Sequence, residues 1–141
     1  MPYEYFEVTA EMGIRAWANS LNEVFVESAR ALFGLMIDIQ AVQPIRSSQQ
    51  IVLESTTLET LLADWLNQLI VERDRAGLVF SQFEVRLFQV NQAWQLTGCA
   101  MGEVFDRSRH DPRSDIKAVT YNNLACEARD NFYFAECVLD I

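Results

Sequence analysis

Apolar and polar residues change their period along this chain, and the changes mark the elements. Tyr3 to Thr9 reads as a strand, with Tyr3, Tyr5 and Glu7 alternating against Glu4, Phe6 and Val8. A turn region containing Gly13 is expected next. Ser20-Leu21-Asn22-Glu23 then fits a capping box, in which a hydroxyl and a glutamate satisfy orphan backbone donors. Behind it Leu21, Val24, Phe25, Ser28, Ala29, Leu32, Leu35, Met36 and Ile39 recur at steps of three and four, which predicts one buried helical face. Pro44 closes that helix, and Gln50 to Glu54 reads as a short strand. A second capping box at Thr56-Thr57-Leu58-Glu59 opens a helix whose stripe is Leu58, Leu61, Leu62, Trp65, Leu66, Leu69 and Ile70. Gly77 is its expected stop, because glycine tolerates the left-handed conformation.

From Leu78 the period is two. Phe83, Val85 and Leu87 alternate with Glu84 and Arg86, and a turn at Asn91-Gln92 leads into Trp94, Leu96, Gly98, Ala100 and Gly102, the pattern of a hairpin. The small residues predict that a helix or another backbone packs closely on the second strand. Asp106 to Asp115 is a charged loop. Lys117 to Tyr121, Ala125 to Arg129 and Phe132 to Ile141 supply further strands, with a turn at Asp130-Asn131. The order predicts an α+β fold, with two helices packed on a mixed, largely antiparallel sheet. One domain spanning 1–141 is expected, since no repeat, low-complexity tract or linker interrupts it.

Composition narrows the function. Half the residues are hydrophobic, which excludes disorder. No segment nears the roughly 20 apolar residues of a membrane helix, and the first residues lack a signal peptide's regions, so a soluble cytoplasmic protein without membrane contact is expected. Cys99, Cys126 and Cys137 sit in apolar strand-like runs without metal-ligand spacing and read as buried reduced thiols. The net charge of −9 repels phosphate backbones, so autonomous nucleic-acid binding is not expected, whereas cations and basic protein surfaces are attracted.

Nucleotide-loop, nucleophile-elbow and histidine-metal motifs are missing. With one histidine, His110, a serine-type triad has no support, so no catalytic residue is assigned and carboxylate chemistry remains. Asp140 and the Ile141 α-carboxylate place two hard oxygen anions side by side at the end of a strand. Two readings stay open: an ordinary edge strand with a solvated tail, or ligands for Ca²⁺ or Mg²⁺. Asp38 reads as a solvated residue at the end of the first helix or as a further acid for a partner. Arg15 is expected to pair with Glu11 or to reach a partner's phosphate. His110 reads as a surface-loop histidine or a partner contact. Arg107, Arg109 and Arg113 interleave with Asp106, Asp111 and Asp115, which favours a salt-bridged or protein-contact loop over a phosphate clamp.

Several segments carry a resemblance. Tyr3-Glu4-Tyr5-Phe6, Thr9-Ala10-Glu11-Met12-Gly13-Ile14-Arg15-Ala16, Leu62-Ala63-Asp64-Trp65-Leu66, Asp106 to Asp115 with Ile116-Lys117-Ala118-Val119-Thr120-Tyr121, and Val138-Leu139-Asp140-Ile141 resemble the archease family in order over nearly the whole chain. The resemblance implies a non-enzymatic accessory protein of an RtcB-type RNA ligase, promoting its guanylylation and turnover in tRNA splicing or RNA repair. The ligase would use the GTP. It also implies a divalent-metal site, usually calcium, with Mg²⁺ or Mn²⁺ as alternatives, built from Glu11, Asp140 and Ile141. Where the family usually has histidine, aspartate and histidine, this chain has Val8, Glu11 and Asn122, so a retuned metal affinity is expected. A metal-dependent chaperone or binding module for RNA-modifying enzymes is the alternative. A hydrolase dividing acid and base roles between Glu11 and Asp140 is a further one.

Overall fold

The structure, a computed structural model, describes residues 2–8 and 11–141. Thr9, the expected end of the first strand, and Ala10 lie outside the described residues. The elements are β1 (Tyr3–Val8), β2 (Glu11–Ala18), α1 (Leu21–Met36), β3 (Arg46–Ser47), β4 (Ile51–Ser55), α2 (Leu58–Ala76), β5 (Leu78–Val90), β6 (Ala93–Val104), α3 (Arg107–His110), β7 (Ala118–Val119), β8 (Ala125–Arg129) and β9 (Phe132–Asp140). The α+β class is as expected. The single mixed sheet is replaced by two sheets, and each ladder described is antiparallel.

In the first sheet β9 is central. Leu139 pairs with Met12 of β2 on one side and Val119 of β7 on the other, and β8 continues that second side. In the second, β6 is central: Gly98 pairs with Ile51 of β4 and with Val85 of β5. Both long helices contact both sheets. That position explains why they are buried on more than the predicted stripe: Ala31 and Phe33 of α1 and Ala63 of α2 are also fully covered. A single-face reading follows from one sheet, and a second sheet demands a second apolar face.

Local signals fared well at the helix starts. Ser20 Oγ accepts the Glu23 amide at 3.1 Å. The second cap is one residue later than expected, with Thr57 Oγ1 accepting the Thr60 amide at 3.2 Å. Adjacent threonines offer the same hydroxyl, so sequence cannot choose between them. Gly77 adopts φ 67°, the expected left-handed stop, and Asn91 and Gln92 form the hairpin turn with φ 50° and 66°. Helix α1 ends at Met36, and Ile39 falls instead in a separate 3-10 turn, Ile39–Ala41.

Gly13 is not in a turn. It lies mid-strand in β2 opposite Phe6, and a Cβ there would overlap the Phe6 ring. A strand glycine marks close approach as readily as a bend. Gly98 behaves as predicted: a Cβ would come 3.2 Å from the Trp65 ring of α2. The strand expected at Lys117 to Tyr121 shortens to Ala118–Val119.

Candidate functional site at the end of the first sheet

Strand alternation places Glu4, Phe6 and Val8 of β1 on the outer face of the first sheet, since Tyr5 points the other way and donates its hydroxyl to Ala31 O of α1 at 2.9 Å. Val8 pairs with Glu11 across the β1–β2 ladder. Met12 pairs with Leu139, the last pair of that ladder, so the next residues along, Glu11 and Asp140, lie at the same end of the sheet. Asp140 in turn pairs with Ala118, and its carbonyl accepts the Lys117 amide at 2.8 Å. The paired ends Val8–Glu11 and Asp140–Ala118 thus meet at one end of the sheet. The C-terminal strand is the middle of its sheet, not an edge, which is what holds it in register to Asp140.

The donors at this end are carboxylates. Carboxylate oxygens are the donors that a hard divalent cation takes, and Asp140 and Ile141 are exposed. The residues thus fit Ca²⁺ or Mg²⁺ in chemistry. Among the described residues no three His, Cys, Asp or Glu side chains come together. The sheet end supplies two side-chain acids, and Val8 facing Glu11 supplies no polar atom.

This sheet end is fastened to α2. Asn67 donates to Val119 O at 3.1 Å and accepts the Val119 amide at 2.8 Å, fixing β7 against the helix. One turn earlier Asp64 accepts the Tyr121 hydroxyl at 2.6 Å, which raises the Tyr121 pKa. No local pattern pairs the two segments, because their contacts span more than fifty residues.

Arg15 does not reach Glu11. In a strand four residues span about 13 Å, and its partners are set by register: Nε donates to Glu136 Oε1 at 2.6 Å, Glu4 lies 3.6 Å away, and the guanidinium sits 4.0 Å over the Phe6 ring. The hydrogen bond to Glu136 is the main reason its pKa rises. Asp38 is not at a helix end either. It is half-buried and caps the 3-10 turn, accepting the Gln40 amide at 3.2 Å.

His110 lies far from a surface role, fully buried at the end of α3. Its Nδ1 accepts the Asp106 amide at 2.8 Å, so the proton belongs on Nε2, 3.0 Å from Glu103 Oε2. Glu103 also receives Arg109 and the Gln43 amide, the latter at 2.8 Å. These bonds, Arg109 foremost, hold its pKa at about 2. Glu103 was missed in the sequence; its one signal is a charged residue inside an apolar strand end, Gly102-Glu103-Val104. Burial pushes the Cys126 and Cys137 thiols up to about 12. Cys99, expected to be buried, is half-buried, 3.7 Å from Glu84.

Residues 3–141 match the family described as the Archease protein family. The chain is 38% identical to "Protein archease" of Methanopyrus kandleri over 141 residues, covering 100% of both. It is 37% identical to that of Sulfurisphaera tokodaii over 139 residues, covering 99% of this chain and 98% of the relative. A solution structure of Methanobacterium thermoautotrophicum protein 1598 superposes with TM-score 0.87 at 32% identity, covering 99% of each chain. A crystal structure from Thermotoga maritima, described as an archease and possible chaperone, gives 0.56 at 18% identity over 96% and 94%, a likeness of fold.

Proposed function

The chain belongs to the archease family, and from that premise we propose that it is an accessory protein of an RtcB-type RNA ligase, promoting guanylylation and multiple turnover in the cytoplasm. The observation that supports the reading is the Met12–Leu139 pairing of β2 with β9, which brings the ends carrying Glu11 and Asp140 to the same exposed edge of the sheet. In this proposal Glu11, Asp140 and Ile141 hold one divalent cation, Ca²⁺ foremost, which would supply positive charge at an otherwise anionic edge. The chain's own residues bind and orient: the Lys117 amide fixes the Asp140 backbone, and Asn67 fixes β7 behind it. GTP is consumed by the ligase.

Glu11 in place of aspartate lengthens one ligand arm and adds rotamer entropy to be lost on binding. Val8, which is 38% exposed beside it, offers the ligands no hydrogen bond. A weaker or retuned cation affinity follows. The test is a multiple-turnover ligation assay with the cognate ligase, together with calorimetric titration of Ca²⁺, Mg²⁺ and Mn²⁺. Asp140→Ala is expected to abolish stimulation and saturable metal binding while its melting temperature stays near wild type. Equal stimulation by the variant would sink the role given to this site.

A further inference from the structure

A groove of about 580 Å³ opens at the opposite end of α1 and α2 from their caps, in the size range of small-molecule sites. In a chain of net charge −9 it is lined by three arginines, Arg73, Arg107 and Arg113, against two acids, Asp74 and Asp115. Local charge is therefore reversed. Asp74 takes up Arg73 at 2.9 Å, and Arg113 reaches Asp111 only at 3.6 Å. Arg107 is exposed and has no ion-pair partner among the described residues. Of the three interleaved arginines of this loop, Arg109 alone turns inward, to Glu103.

One wall is aromatic. Phe105 lies 38% exposed, with one ring face stacked on buried His110 at a centroid distance of 5.9 Å and its amide donated to Gly77 O. The Glu103–His110 pair thus holds the ring in place from behind. Met36, Ile37 and Val79 add apolar lining.

Helix C-termini carry partial negative charge, which would oppose an anion. Here they are partly closed. The Arg113 and Ser114 amides donate to Met36 O and Leu35 O at 2.8 and 3.0 Å, and the Gly77 amide donates to Arg73 O at 2.9 Å. The carbonyls of Leu35, Met36 and Arg73 are thus taken, and the same bonds fix the groove's rim.

We propose that this groove binds a nucleoside phosphate, its phosphate on Arg107 and Arg113 and its base against Phe105. The shared chemistry admits a free nucleotide or the terminal nucleotide of a strand. This site is independent of the metal reading. Guanidinium suits phosphate through paired donors, and a base stacks on an aromatic face without sequence preference.

The test is calorimetric titration of the full chain at low salt with GMP, ribose 5-phosphate, inorganic phosphate and a 5′-phosphorylated hexanucleotide. Arg107→Ala, Arg113→Ala and, as an exposed control, Arg86→Ala are compared, with circular dichroism to confirm folding. GMP or the hexanucleotide is expected to bind saturably and tighter than ribose 5-phosphate. Either arginine variant should weaken it about tenfold, with Arg86→Ala unchanged. Tighter binding of GMP identifies the free ligand, and tighter binding of the hexanucleotide identifies the strand end. No saturable binding at 10 mM (about 2.7 kcal/mol of affinity or less) would overturn the site. So would equal loss in the Arg86 control, or no preference over ribose 5-phosphate.

Discussion

His110 Nε2 lies 3.0 Å from Glu103 Oε2 inside the protein, and Arg109 closes on the same oxygen from the solvent side. Because the Asp106 amide occupies Nδ1, the histidine stays a donor to the carboxylate. Glu103 has its pKa lowered from 4.5 to about 2, so the unfolded chain binds this proton more tightly than the folded one. The stabilisation is complete above pH 4.5 and is lost as pH falls toward 2. Wild type should therefore melt well above Glu103→Gln at pH 7, with the gap narrowing steadily down to pH 2.5. Thermal melts across that range check it, and a gap independent of pH would contradict the assignment.

Two glycines face different obstacles. A Cβ at Gly13 meets the tip of the Phe6 ring, which can swing outward, whereas a Cβ at Gly102 meets the Val79 carbonyl and the Phe80 backbone. Gly102→Ala should cost about 3 kcal/mol and Gly13→Ala about 1 kcal/mol. Urea denaturation of both variants reads the order, and Phe6→Ala combined with Gly13→Ala should show coupling between the two positions.

Asn67 satisfies both polar groups of Val119, which is almost fully buried. Asn67→Ala leaves a donor and an acceptor without partners and should destabilise by about 2 kcal/mol. Hydrogen exchange should quicken at the Val119 amide while the β5–β6 amides stay protected. Uniform quickening would mean that β7 is not held separately by this side chain.

Burial raises all three thiol pKa values, to about 12 for Cys126 and Cys137. At pH 8 a thiol reagent should modify Cys99 slowly and leave the other two untouched until denaturant is added. Mass spectrometry of the modified peptides distinguishes the positions. Rapid labelling of Cys137 in the folded protein would contradict its place in the central strand.

Much of this was readable beforehand, and the reasons differ by element. The Ser20 cap, the Gly77 stop and the Asn91-Gln92 turn each depend on a few neighbouring residues, so local chemistry suffices. The acids Glu11 and Asp140 were legible through resemblance to a family, but that they lie at the same end of one sheet is a consequence of the β2–β9 register. Arg15 illustrates the opposite case. Its nearest acid in sequence is not its partner, because a strand carries side chains apart along the chain and pairs them across it.

What the sequence determined alone was the two long helices, the hairpin of β5 and β6, most of the other strands with their periods, and an acidic chain carrying Glu11 and Asp140; strand β2, read as a turn, was not among them. Only the tertiary structure decided that there are two sheets, that both helices are covered from two sides, that β9 is central, and that His110 is buried on Glu103. Periodicity reports which residues seek burial within one element. Which surface covers them is set by pairings across more than a hundred residues, and those depend on the register of strands that local patterns leave free.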